Sequence, residues 1–127
     1  MVLVDTNIWI EFFKKNDPYF DEVSTLLQNR MVITLEPVFS ELLYGVRTVK
    51  DKEIVQNYWN IIPKIDFQNE SLIKASEYAN KHKFYSLGIG LIDAVIIKSV
   101  IDNDLLVWTL DMKMLNHLDD KYIFNVP

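Results

Sequence analysis

The sequence has no cysteine among its 127 residues, so it can build no disulfide, no thiolate metal site and no catalytic thiol. That suits a reducing compartment, and the expectation is a cytoplasmic protein. Glycine and proline are scarce, at three and four, and they are scattered. No linker, low-complexity stretch or internal repeat interrupts the chain, which points to a single domain over residues 1–127. Basic charge is also in short supply: 13 Lys and Arg face 18 Asp and Glu, for a net charge of −5. This argues against holding nucleic acid through a broad basic face. Any such contact is expected to be small or transient, or to use a bound cation. No apolar run is long enough to span a membrane, so no membrane partner is expected. A signal peptide is not expected either, because Asp5 interrupts the first apolar run and no basic stretch precedes it. The two histidines, His82 and His117, have charged or polar neighbours and no second ligand at metal spacing, so both read as surface residues.

What is present is a hydrophobic half, enough for a real core. Val2-Leu3-Val4 is short, apolar and β-branched, as a strand buried on both faces should be, and it stops at Asp5. Similar buried strands are expected at 31–34 and 105–109, with an edge strand over 61–67, where Pro63 removes a donor, and a last strand at 122–124. Helices are expected at 6–14, 19–28, 37–46, 52–59, 71–83, 91–101 and 112–118, with 85–90 as a loop. Strands alternating with helices predict an α/β fold with a parallel sheet covered on both faces.

Four carboxylates stand out. Asp5 and Asp111 each follow a predicted strand, Glu41 lies beside Phe39 and Leu42, and Asp93 sits inside Leu91-Ile92-Asp93-Ala94-Val95-Ile96-Ile97. Each has an ordinary explanation: Asp5 and Asp111 as helix caps, Asp93 as a first-turn acid favoured by the helix dipole, Glu41 as a solvated helix edge. In a doubly wound sheet, however, the ends of the strands share one edge with the starts of the helices that follow. Two carboxylates roughly 5 Å apart repel by about 3 kcal/mol at an effective dielectric near 20. No Lys or Arg adjoins any of the four in sequence. A hard divalent ion is the simplest remedy, since oxygen ligands suit magnesium or manganese, and such an ion can activate water against a phosphodiester.

With Val4-Asp5-Thr6-Asn7, Ser40-Glu41-Leu42 with Gly45, Leu91-Ile92-Asp93-Ala94 and Thr109-Leu110-Asp111 in this order, the chain resembles PIN-domain ribonucleases of the VapC toxin type over nearly its whole length. The resemblance implies a three-layer α/β/α sandwich with a mostly parallel central sheet, its first and fourth strands adjacent at the middle. It implies that Asp5, Glu41, Asp93 and Asp111 bind Mg2+ or Mn2+ and carry RNA cleavage. It further implies that Thr6, Asn7 and Thr109 orient the acids or the water, that a cognate antitoxin is a partner, and that the chain forms a homodimer. Met112-Lys113-Met114-Leu115 is a loose version of the family's ending, where an aromatic is common. Two other readings stay open: a catalytically silent acidic α/β binding module, and a PIN-type RNA-processing or DNA nuclease that is not a toxin. Lys14, Lys15, Arg47, Lys50 and Lys52 read as a solvated face, with a phosphate-guiding rim as the alternative. Of the tryptophans, Trp9 stands one helical turn from Asp5 and is the one expected to be able to line the groove.

Overall fold

Strand β1, Val2–Val4, occupies the middle of the sheet in the computed structural model, which describes residues 1–127. Strand β2, Val32–Ile33, lies on one side of it and β3, Leu106–Trp108, on the other, both parallel to β1. Leu3 is the centre of the register, opposite Ile33 and Val107. Successive side chains of a strand point to opposite faces. Val2, Leu3 and Val4 are all at most 2% exposed, so both faces of the sheet are covered.

Eight helices supply the cover: α1 (Thr6–Phe13), α2 (Tyr19–Gln28), α3 (Glu36–Gly45), α4 (Val49–Ile61), α5 (Ser71–Lys81), α6 (Phe84–Leu87), α7 (Leu91–Asp102) and α8 (Met112–His117). Among α1 to α4, α1 packs on α2 and α3, and α3 on α4; in the other group α5 packs on α6 and α7. This is the α/β/α layering expected of the sequence. One continuous core runs from Val2 to Leu118. Helix α7 supplies Ala94, Val95, Ile96, Ile97 and Val100 to it, and carries one acid, Asp93, in its first turn.

Several expected boundaries shift. The edge strand over 61–67 shrinks to a single parallel bridge between Thr34 and Lys64. Pro63 can lend only its carbonyl, which accepts from the Thr34 N–H at 3.0 Å, and pairing stops one residue beyond. The last strand likewise reduces to one bridge, Val107 with Ile123, because Asp119 caps a 3-10 turn over Asp120–Tyr122. The expected loop over 85–90 is partly the one-turn α6, closed by Gly88 at φ +71. Helix α4 begins three residues before Lys52, because Thr48 accepts from the Asp51 N–H at 3.0 Å and caps it. Its Ile54 is 37% exposed.

Two side chains also depart from expectation. Trp9 does not line a groove: it is fully buried, stacked on Phe13 and edge-on to Phe12 and Phe39. Ile8, Trp9 and Phe12 form the inward stripe of α1, which carries the indole away from the edge where Asp5 stands. His82 is exposed, as expected, but His117 is half-buried, its ring edge-on to Phe84 at 4.6 Å. Burial, then the neighbouring His82, lowers the pKa of His117.

Candidate functional site

The β1 chain leaves the sheet at Asp5, whose own N–H still donates to the Trp108 carbonyl at 3.0 Å. Asp5 is 5% exposed. Its Oδ1 accepts from the Thr6 N–H at 2.7 Å, so it does cap α1. Its Oδ2 faces the other way and accepts from the Thr109 hydroxyl at 2.7 Å, with the Asn7 amide 3.4 Å off. Capping and site-building are therefore both served, one by each oxygen.

Thr109 and Asn7 tie the end of β1 to the end of β3. The Asn7 amide donates to Thr109 Oγ1 at 3.2 Å, and its Oδ1 accepts from the Leu110 N–H at 3.1 Å. Thr109 Oγ1 accepts in turn from the Asp111 N–H at 3.0 Å. A hydroxyl has one proton to give and two lone pairs to offer, and all three are used here. The network fixes the Asp111 backbone next to Asp5, although the two residues lie on different strand exits. The Asp111 side chain accepts from the Lys113 N–H at 2.9 Å and caps α8.

Asp93 enters from α7, three positions past the N-cap Gly90. Its pKa is pushed up to about 6, first by burial, then by the charges of Asp111, Asp5 and Glu41. The Asp5 pKa is raised as well, chiefly by burial; the hydrogen bonds from Thr109 and Thr6 oppose the rise, and Asp111 adds to it. The structure thus brings Asp111, Asp5 and Glu41 within electrostatic reach of Asp93, and Asp111 within reach of Asp5. Glu41 is the outlying member: it is exposed on α3, held only by the Thr6 hydroxyl at 3.1 Å. The solvated-edge description of Glu41 is correct as to its exposure.

No cation relieves this crowding from within the chain. The one ion pair in the protein joins Lys98 and Asp102, at the far end of α7. Lys113 is nearby in sequence, but its side chain lies along Gly88, its Nζ 3.2 Å from where a Cβ there would stand. The donors suit a hard cation: all are carboxylate oxygens, and Asp93 resists ionising while its neighbours are charged. As placed, no three of the protein's His, Asp or Glu side chains form a ready-made cage. Asn7, Thr109 and Thr6 are where the sequence placed supporting groups, and each touches an acid. The part played by Leu110, through its N–H, is one that no side-chain pattern could signal.

A model of the PIN domain family matches residues 2–121. No curated protein matches the chain in sequence. Among solved structures, the chain is similar to one in the crystal structure of VapBC2 from Rickettsia felis bound to a DNA fragment from their promoter. The two are 26% identical with a TM-score of 0.70, over 97% of this chain and 96% of that one. A chain of FitAcB from Neisseria gonorrhoeae shares the fold at 20% identity and a TM-score of 0.60, with 91% of each chain covered.

Proposed function

The chain belongs to the PIN domain family, and from that premise we propose that it is a magnesium- or manganese-dependent endoribonuclease, the toxin of a type II toxin–antitoxin pair. The observation that carries this is Asp93, an acid in the apolar first half of α7 whose pKa is raised by burial and then by Asp111, Asp5 and Glu41. Carboxylates gathered this way from four elements repel phosphate unless a cation stands between. Asp5, Glu41, Asp93 and Asp111 would hold that cation. When bound, a divalent ion supplies a water of lowered pKa and offsets charge building on the phosphate.

The protein's own groups prepare for this. Thr109 and Asn7 hold the Asp5 carboxylate at a fixed angle, as donors around a metal ligand do. Thr6 tethers Glu41, which would otherwise sweep through solvent. Burial of Asp5 and Asp93 lowers the local dielectric and strengthens the pull on a cation. The likeness to VapBC2 supports a cognate antitoxin as partner. A basic side chain delivered by that antitoxin would neutralise the acids in place of the ion. In the same proposal the chain acts on cytoplasmic RNA as a homodimer.

The test uses the purified full chain and a labelled RNA, with manganese, with magnesium, or with chelator. Cleavage is expected with metal alone, and Asp5→Asn or Asp93→Asn should bring it to background while circular dichroism stays that of the parent. Equal cleavage by parent and variants would remove these residues from the reaction. The open position of Glu41 favours a second reading, an acidic module that docks a basic segment. That module would bind its partner equally well in chelator and leave RNA whole.

A further inference from the structure

Two cavities touch Glu41, and they differ in charge. One, of about 460 Å³, runs past Glu36, Ser40 and Tyr44 and carries no cation. The other, of about 530 Å³, opens between α1, α3 and α4, and is lined by Lys14, Lys15 and Arg47 as well as Glu41. Lys14 and Lys15 follow the end of α1, where cations complement the helix dipole, and Arg47 lies in the turn between α3 and α4. All three are exposed, and none is in an ion pair. Asp51 also reaches this cavity, so cations outnumber acids by three to two, in a chain whose net charge is −5. Half-buried Phe13 and Tyr58 line the wall, packed against Trp9, Phe12 and each other.

We propose that this cavity is the track for one flank of a single-stranded RNA, with Lys14, Lys15 and Arg47 as positioning residues that grip its backbone phosphates beside the acidic site. The proposal rests on the nuclease reading above. A polyanion approaching four carboxylates on an acidic protein needs a cationic foothold within a nucleotide or two of the reacting phosphate. Of these two cavities at Glu41, only this one is lined by cations. Lys50 and Lys52, which share the sequence stretch, line neither cavity and are left as solvated charges. The apolar wall would also suit an acidic amphipathic helix from a protein partner. The unpaired cations in the lining favour the strand.

The experiment measures steady-state cleavage of a labelled single-stranded RNA by the full chain in manganese, across a salt series. The triple variant Lys14→Gln, Lys15→Gln, Arg47→Gln should raise KM about tenfold or more and leave kcat within about twofold. Its dependence of log KM on log salt should flatten by about 2, since each phosphate contact on a single strand contributes about 0.7. Lys14→Arg with Lys15→Arg should keep the parent KM, which separates lost charge from lost folding. Removing equal charge elsewhere, with Lys81→Gln, Lys83→Gln and Lys121→Gln, should keep the parent slope. An unchanged KM and slope in the triple variant, with the parent still cutting, would overturn the track and leave the nuclease standing. A parent that cuts no RNA under any metal would overturn both. A second arm follows a fluorescent Glu- and Leu-rich helical peptide. If the triple variant releases that peptide while its RNA kinetics stay at parent values, the cavity is a protein-docking groove and the track is wrong.

Discussion

Asp5 has three donors around two oxygens, and the shortest contacts come from Thr6 N–H and Thr109 Oγ1, both at 2.7 Å. A hydrogen bond to a charged group contributes about 1.5–3 kcal/mol. Thr109→Val keeps the shape and removes the hydroxyl, so it should lower stability by about that amount at pH 7, read by urea unfolding. The loss should narrow in acid, where a protonated Asp5 no longer depends on the donor. Asp93 has the opposite balance. Its folded pKa of about 6 lies above the ordinary Asp value of about 4. The folded state therefore holds the proton more tightly than the unfolded one, and stability is lost as pH rises from about 4 to about 6. Asp93→Asn removes that penalty. In chelator above pH 6 its melting temperature should exceed the parent's by a few degrees, because screening at a half-buried site leaves about 1 kcal/mol. Below about pH 4 the two melts should coincide. Asp93 is legible in the sequence because a carboxylate among Ile, Ala and Val is costly unless something holds it. For Glu41 the sequence offers the solvated edge only as one of two readings, because helical periodicity gives a stripe and not which edge of the stripe meets solvent.

At the level of elements, the helices are legible and the sheet margins are not. Apolar spacing marks α1, α2 and α7 within a residue or two, since each buries a face against one large core. The outer strands over 61–67 and 122–124 depend on pairing with a partner far along the chain, and their own residues cannot say how many rungs form. The α6 turn is similar: Phe84 is 1% exposed and buries a single ring, too little for a periodic signal. Gly88, which ends that turn, is required by its backbone. At φ +71 an alanine is strained, and its Cβ would meet the Lys113 side chain at 3.2 Å. Gly88→Ala should therefore cost about 1–2 kcal/mol, measured by thermal unfolding. Gly88→Ser should cost a similar amount, while Gly90→Ala, at φ −79 with open space around it, should cost less.

For the molecule as a whole, the acidic site is a source of repulsion that a bound ion would convert into stability. A ligand binding only the folded state at a hundred times its Kd adds about 2.7 kcal/mol. Manganese titrated into the metal-free chain should raise the melting temperature to a plateau, and Asp5→Asn should flatten the response; no shift at millimolar metal would count against the site. That Asp93 comes near the other three acids is legible from their order along the chain once a parallel sheet is granted, since such a sheet sends strand ends to one edge. The network that locks them is less so, because Asn7 reaches Thr109 and Leu110 across about a hundred residues. The sheet order β2-β1-β3 has a further consequence in time. A ribosome releases β1 before either neighbour, its second flank stays bare until residues 106–108 emerge, and Asp111 comes later still. A copy made only through Glu41 thus carries Asp5 and Glu41 but neither Asp93 nor Asp111, so the cell that translates it meets the complete quartet only once residue 111 has emerged.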